Sequence, residues 1–421
     1  MNSTPPTGPL LTRSVFVAGG ETPEFTYNPR SARHLESEVQ SFLGQSGKAL
    51  SVSGPTKCGK TVLIERQLSQ ENAIWIQGAD MLSAADLWRR VVDFLGLWDT
   101  LEVSTGHTLA GSGGLSAELN AGVLKAGAST GASGGFSEEK RASRTRALAD
   151  VAREALRAVS TPIVIDDFHF VPEGSRKEIA RAIKSVIPHC PVIMIAVPYD
   201  AFEAVVAEPD LGGRIWHLEL KPWDDQELEF IASAGFDALN LTDVSGQVGR
   251  TCSNEAMGSP FLMQQLCFEV CTAQGILQRP TIRQLVRVPD HWESFLERIA
   301  ARTRPPIFQK LLEGKKPHGT NRLMRRFADD GIERDIYACI FRAIQKLGAK
   351  ATTTYAEINQ YLTEPTVSPA PQGQQIGGTL TSMSEIAEEL RGTGDPAFVY
   401  KDERAYVVDP FLRFYLSRGG W

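Results

Sequence analysis

The sequence predicts an α/β protein in which a doubly wound parallel sheet is followed by a helical lid and by a C-terminal domain of three helices and a hairpin. Two observations support this prediction. Apolar runs of strand length alternate with segments of helical periodicity, which is the pattern of a parallel sheet covered by helices on both faces. A glycine-rich turn joins the first of these strands to a helix, which is where open α/β sheets place their ligands.

The glycine-rich turn, residues 54–61, reads G-P-T-K-C-G-K-T and fits the pattern G-x-x-x-x-G-K-[ST]. An apolar strand precedes it and a helix follows it. Glycines at both ends let the backbone turn its N–H groups inward toward a phosphate, and the helix adds its positive end. The residues predicted to bind phosphate are Gly54, Pro55, Thr56, Lys57, Cys58, Gly59, Lys60, Thr61 and Val62.

A second motif supplies the acid that such a phosphate loop needs. Residues 161–169 read T-P-I-V-I-D-D-F-H, an apolar strand that ends in two carboxylates. We expect Lys60 to reach the β- and γ-phosphates, and Thr61 and Asp166 to hold Mg²⁺. Asp167 would orient or deprotonate the attacking water. Because the side chain of Asp is one methylene shorter than that of Glu, its carboxylate reaches less far, and hydrolysis is predicted to be slow. Together the two motifs predict that the protein binds a nucleoside triphosphate with Mg²⁺.

Composition is that of a soluble globular protein. The chain has 421 residues, 42% of them hydrophobic and 22% charged, which allows two or three domains. Eighteen uninterrupted apolar residues occur nowhere, and the start lacks the layout of a signal peptide, so we expect no membrane association. The six cysteines are scattered without a metal-ligand or disulfide pattern, which indicates the reducing cytoplasm.

The pattern of elements predicts five regions along the chain. They are a flexible tail (1–14), a nucleotide-binding domain (15–220) with a Gly/Ala/Ser-rich insert (105–136) predicted to form a hairpin, a helical lid (221–290), a basic connector (291–330) and a C-terminal domain (331–421).

The C-terminal domain shows the layout of a winged helix. Helices are predicted at 332–347, 354–362 and 379–390, with a proline-rich loop at 364–378 before the third. A hairpin and a last helix at 410–416 follow.

Charge is distributed unevenly although the net charge is only −6. From Arg279 to Arg326 there are twelve Lys or Arg against four Asp or Glu. This basic stretch would suit a phosphate or an acidic partner, while a solvated connecting helix is the simpler interpretation.

Three further signatures then carry a resemblance: Tyr27-Asn28-Pro29-Arg30 before the phosphate loop, Gly258-Ser259-Pro260 in the lid, and Asp409-Pro410 after the hairpin. With the two motifs above, they resemble the STAND class of AAA+-related P-loop ATPases, and within it the archaeal-type ATPases with a C-terminal winged helix. The resemblance covers the chain from about residue 25 onward, except the insert.

The resemblance implies ATP as the nucleotide, with Tyr27, Arg30 and Pro260 near the adenine. It implies oligomerisation and a separate effector or sensor protein, in bacterial stress or phage-defence signalling. Arg214 stands just before the fifth strand, where relatives carry an arginine finger for a neighbouring subunit; a strand-end salt bridge is the alternative. Pro198-Tyr199-Asp200 departs from the polar sensor of such proteins. Trp223 is interpreted simply as a core or domain-interface residue.

Two other functions stay open. A DNA-associated AAA+ ATPase of the initiator or transposition-regulator type would also join these domains, but the candidate recognition helix carries Glu385, Glu388 and Glu389, which does not favour nucleic acid. A nucleotide-bound scaffold that hardly hydrolyses would agree with the short Asp167.

Overall fold

The computed structural model describes residues 9–20, 22–98, 138–196, 213–316, 322–363, 367–391 and 396–421. Within them the strands are β1 (Ala49–Ser53), β2 (Ile74–Gln77), β3 (Ile163–Asp166), β4 (Val192–Ala196), β5 (Ile215–Glu219), β6 (Leu241–Asp243), β7 (Gln284–Val286), β8 (Arg325–Phe327), β9 (Glu333–Arg334), β10 (Thr352–Thr354), β11 (Val367–Ser368), β12 (Phe398–Lys401) and β13 (Arg404–Val407).

The helices of the same residues are α1 (Thr12–Val15), α2 (Leu35–Leu43), α3 (Lys60–Gln67), α4 (Ala84–Leu95), α5 (Glu138–Val159), α6 (Glu173–Val186), α7 (Asp225–Ala238), α8 (Gln247–Glu255), α9 (Pro260–Ala273), α10 (Trp292–Arg302), α11 (Pro306–Glu313), α12 (Ile336–Lys346), α13 (Tyr355–Thr363), α14 (Gly373–Glu389) and α15 (Pro410–Arg418). The predicted insert at 105–136 and the segment Pro198–Asp200 lie outside the described residues.

The chain divides into two compact units. The sheet unit consists of Glu38–Val52 and Leu68–Leu218. The composite unit consists of Met1–Ser37, Ser53–Gln67 and Glu219–Trp421. The phosphate loop therefore belongs to the composite unit, while the strand that ends in the two carboxylates belongs to the sheet unit.

The sheet unit contains the predicted parallel sheet, with strand order β2-β3-β4-β1-β5. Every residue of β3 and β4 is buried, and all of them except Asp166 are apolar, as expected for strands of a sheet that helices cover. The register places Gln77 opposite Asp166, so the ends of β2 and β3 coincide. The predicted doubly wound α/β fold is confirmed.

The composite unit has one hydrophobic core, which extends from Val15 to Leu416. The predicted flexible tail is wrong for its last residues, because Thr12 is buried and donates hydrogen bonds to the carbonyl oxygens of Ile276 and Leu277. Backbone pairing, which sequence periodicity does not report, holds this segment in place.

The predicted lid and basic connector also belong to this core. The lid region contains α7, α8 and α9 together with a parallel pair of short strands, β6 and β7. The connector is no solvated helix, since α10 and α11 bury Phe295, Leu296, Ile299 and Phe308. Their basic residues lie on the outer faces, and this amphipathic pattern is what the charge count alone missed.

The C-terminal region contains α12, α13 and α14, the antiparallel sheet β10-β13-β12, and α15. The predicted hairpin is confirmed as β12 and β13. The predicted loop at 364–378 is wrong in its second half, because α14 begins at Gly373. Gly377 and Gly378 lower the helix propensity of this turn, and burial of Ile376 and Leu380 outweighs it.

The six cysteines are free and buried. Among the described residues, every helix is too short or too polar to cross a membrane.

Candidate nucleotide-binding site

The phosphate loop leaves β1 at Gly54 and enters α3 at Lys60. A Cβ on Gly54 would lie 2.8 Å from the carbonyl oxygen of Leu220, which real Cβ atoms essentially never do. Gly59 has a φ of +95°, in the region that favours glycine, so the loop needs glycine at both ends. No atom of the described residues lies within 4 Å of the position that a Cβ on Gly59 would take.

The side chain of Lys60 is folded into this loop. Its exposed fraction is 8%, and Nζ donates to the carbonyl oxygens of Gly54 at 2.9 Å and Pro55 at 3.0 Å. Phosphate oxygens would be stronger acceptors than these neutral carbonyls, because hydrogen bonds between ionised groups are stronger. The positive end of α3 adjoins the same loop. The residues present fit a phosphate group.

The other residues of the phosphate loop are buried or half-buried. Thr56, Thr61 and Val62 are half-buried, and Cys58 is buried with an exposed fraction of 2%. Burial raises the pKa of the Cys58 thiol, so the thiol stays protonated at neutral pH and acts as a packing residue.

Lys57 points to a different part of the chain. Its Nζ lies 3.2 Å and 3.1 Å from the two carboxylate oxygens of Asp409, at the beginning of α15. The same ammonium lies 4.7 Å from the ring centre of Phe411 and 5.7 Å from that of Phe261. A predicted phosphate-binding residue is therefore paired with a carboxylate of the C-terminal region.

Arg30 is buried beside the loop. Its exposed fraction is 4%, and Nη2 donates to Glu227 Oε2 at 2.8 Å and to the carbonyl oxygen of Pro222 at 3.3 Å. The guanidinium lies 4.9 Å from the ring centre of Trp223. Among the described residues Nε and Nη1 find no hydrogen-bond partner, which leaves two buried donors for a ligand.

Trp223 connects three parts of the predicted site. Its indole Nε1 donates to the carbonyl oxygen of Cys58 at 2.8 Å, and its backbone N–H donates to Gly258 at 3.2 Å. With Arg30 against its ring, it joins the Tyr27–Arg30 motif, the phosphate loop and the lid. Beyond the interpretation of Trp223 as a core or domain-interface residue, the structure gives its indole a hydrogen bond to the phosphate loop. Its position shortly after β5, at the beginning of the lid region, was the sequence signal that could have found it.

Pro260 and Tyr27 complete this region. Pro260 is the first residue of α9 and follows the N-cap Ser259, two residues after the Gly258 carbonyl that Trp223 binds. Tyr27 donates its hydroxyl to Glu36 Oε1 at 2.8 Å and lies under Arg66. Burial, followed by the hydrogen bond to Glu36, raises the pKa of Tyr27, so its hydroxyl stays protonated.

Asp166 is the last residue of β3 in the sheet unit, and Asp167 directly follows the strand. Asp166 has an exposed fraction of 5%, and its Oδ1 accepts the Asp167 backbone N–H at 3.0 Å. Asp167 has a left-handed φ of +51°. Arg214 is exposed just before β5, where its carbonyl oxygen accepts from Ala49, and it forms no ion pair with the other described residues.

The structure thus brings the phosphate loop, Arg30 and the lid together through Trp223 within the composite unit. The predicted Mg²⁺ ligands Thr61 and Asp166, the predicted base Asp167 and the predicted finger Arg214 keep the status of predictions.

The five-stranded parallel sheet and the phosphate loop together define a class of fold. The chain has the fold of a P-loop ATPase of the AAA+ type. Among solved structures it is similar to a Walker-type ATPase of Pyrococcus abyssi, with a TM-score of 0.50 and 15% identity over 96% of this chain and 99% of that one. At this identity the similarity describes the fold alone.

Two weaker similarities support no argument. The ORC2 protein of Aeropyrum pernix has a TM-score of 0.49 and 10% identity over 97% of each chain. A STAND protein with a tetratricopeptide repeat sensor from Pyrococcus horikoshii has a TM-score of 0.37 and 14% identity over 94% of this chain and 43% of that one. No family model matches the sequence, and no curated protein matches it.

Proposed function

We propose that this chain is an Mg²⁺-dependent ATPase that acts as a molecular switch, coupling its nucleotide state to oligomerisation or to a separate cytoplasmic effector. The observation that carries the proposal is the phosphate loop with Lys60 buried in it, its ammonium held by two loop carbonyls. ATP supplies the phosphoanhydride bond that is cleaved, and Mg²⁺ neutralises the charge of the phosphates.

Each residue has a distinct task in this proposal. The N–H groups of the loop bind the phosphates, and Lys60 exchanges its carbonyl acceptors for phosphate oxygens. Thr61 and Asp166 would hold the metal ion. Asp167 would orient the attacking water and accept its proton. Nε and Nη1 of Arg30, the two donors without a partner among the described residues, would bind the adenine ring of ATP.

The test is calorimetric titration with Mg-ATP, followed by a hydrolysis assay. Lys60→Ala is expected to weaken ATP binding at least about tenfold, since a charge-assisted bond to phosphate is lost. Asp167→Asn is expected to keep the affinity and to lower hydrolysis about a hundredfold, the usual contribution of a general base. Lys221→Ala is the control, because that ammonium is exposed and, among the residues that the structure describes, pairs with Glu219. Unchanged ATP binding in Lys60→Ala would contradict the proposal.

The same assays separate the alternatives. A protein that binds ATP, and in which wild type and Asp167→Asn hydrolyse equally slowly, would be the nucleotide-bound scaffold. The DNA-associated alternative finds little support in the basic stretch, because several of its cations are paired inside the chain. These pairs are Arg283–Asp237, Arg302–Glu269, Lys315–Glu385 and Arg322–Asp335.

A further inference from the structure

The contact between Lys57 and Asp409 joins the phosphate loop to a residue 352 positions later in the chain. The two side chains are 31% and 25% exposed, so the ion pair is partly shielded from water. Asp409 is also the N-cap of α15, and its Oδ1 accepts the backbone N–H of Phe411 at 2.7 Å. The carboxylate is therefore fixed in place by its own helix.

Two aromatic rings enclose the ion pair. Phe411 and Phe261 meet edge to face with their ring centres 5.2 Å apart, and the Lys57 ammonium lies against both. Phe261 is the second residue of α9, next to Pro260. Attraction between the ammonium and the faces of the two rings favours the charged Lys57 at this position.

The rest of α15 is anchored to the lid region. Arg413 donates Nη1 to the carbonyl oxygen of Met257 at 3.0 Å, and burial lowers the pKa of this guanidinium to about 10, which leaves it charged at neutral pH. Arg418 forms a bidentate pair with Glu255, at 2.6 Å and 2.8 Å. These contacts do not involve the phosphate loop, so the Lys57–Asp409 pair is the ionic link between the loop and α15 among the described residues.

We propose that Asp409 regulates the nucleotide site by competing with phosphate for Lys57. The proposal rests on the proposed function, because it requires that the loop binds a triphosphate. In this structure Asp409 neutralises the Lys57 ammonium and places a negative charge beside the phosphate loop. A triphosphate gains Lys57 as a partner only when α15 releases it, and the two anions repel each other until then.

Thermodynamic linkage connects nucleotide binding with the contact between the phosphate loop and α15. If release of Asp409 strengthens nucleotide binding, nucleotide binding weakens the hold of the loop on α15 by the same factor. The contact is thus a latch through which the nucleotide reports its presence to the C-terminal region.

The test uses Asp409→Asn in the full chain. Asn caps helices about as well as Asp, so the variant removes the charge and keeps the start of α15. Its affinity for a non-hydrolysable ATP analogue with Mg²⁺ is expected to rise about fivefold, the upper range for a partly exposed ion pair. In Lys57→Gln the additional change Asp409→Asn is expected to alter the affinity by less than twofold, because the partner is absent. Asp402→Asn, in the exposed hairpin turn, is the matched control.

Hydrogen exchange of residues 410–418 gives a second readout that does not depend on hydrolysis. Adding the analogue to wild type is expected to speed exchange at the start of α15, and to leave it unchanged in Lys57→Gln. Equal or weaker affinity of Asp409→Asn, or greater protection of α15 with the analogue, would overturn the latch. If neither wild type nor Asp409→Asn binds the analogue, the proposed function fails as well. Binding by Asp409→Asn alone would support the latch.

Discussion

The carbonyl oxygen of Asp167 lies where a methyl group on Gly78 would have to go. A Cβ at Gly78 would be 2.2 Å from that oxygen, because β2 and β3 end side by side. On its other side, the Asp167 backbone is held by the carboxylate of Asp166. The absence of a side chain at Gly78, which lies outside both sequence motifs, therefore makes room for the backbone of the predicted base.

Gly78→Ala is expected to displace Asp167 and to lower ATP hydrolysis about a hundredfold, the usual effect of misplacing a catalytic group by about 1 Å. Affinity for ATP is expected to change less than twofold, because the phosphate loop is not touched. Turnover and affinity are measured on the same preparation.

Gly174→Ala serves as the control for this change, since a Cβ there would meet no atom within 4 Å in the part of the chain that the structure describes. If Gly78→Ala hydrolyses ATP at the wild-type rate, Asp167 is not the base or its backbone is free to move.

At the scale of elements, the start of α7 organises the region around the loop. Asp224 and Glu227 form a capping box, and Glu227 also accepts from Arg30 and Arg33. Burial opposes ionisation of Glu227, but the bonds from these two arginines outweigh it and lower its pKa, so it is charged at neutral pH. Trp223 directly precedes this cap, and so one helix end positions both the Tyr27–Arg30 motif and the indole that binds the loop.

Trp223→Phe keeps an aromatic ring against Arg30 and removes the donor to the Cys58 carbonyl. We expect the loop to lose one hydrogen bond of about 1 kcal/mol, and ATP affinity to fall about fivefold. Titration with Mg-ATP measures the change. Trp98→Phe is the control, because that indole is 41% exposed and bonded to Asp93. An unchanged affinity would mean that the Trp223 bond does not hold the loop in its binding shape.

At the scale of the whole molecule, the proposed switch requires a second copy of the chain or another protein. Arg214 is exposed at the end of the sheet unit, as a residue that serves a neighbour would have to be.

We expect wild type to form an oligomer with Mg²⁺ and a non-hydrolysable ATP analogue but not with ADP, as measured by light scattering after size exclusion. Arg214→Ala is expected to lose the oligomer, while its affinity for the analogue as a monomer is kept. A monomer in every nucleotide state would contradict both the switch and the finger.

The sequence was sufficient for features that are local. The phosphate loop and the apolar strands each depend on residues within a few positions, so their patterns can be recognised without knowledge of the fold. The N-terminal segment around Thr12 and the start of α14 were misread because distant backbone pairing and burial outweighed local composition. The Lys57–Asp409 pair and the bond of Trp223 connect residues far apart in sequence, which a single sequence does not reveal.

The composite unit also has a consequence for synthesis on the ribosome. Its core uses Val15 near one end of the chain and Leu416 near the other, with the sheet unit between them in sequence. The sheet unit can therefore fold while translation continues, whereas the core of the composite unit is complete only after α15 has been made. During that interval its apolar partners are exposed, and nascent chains stalled before residue 410 would depend on chaperones.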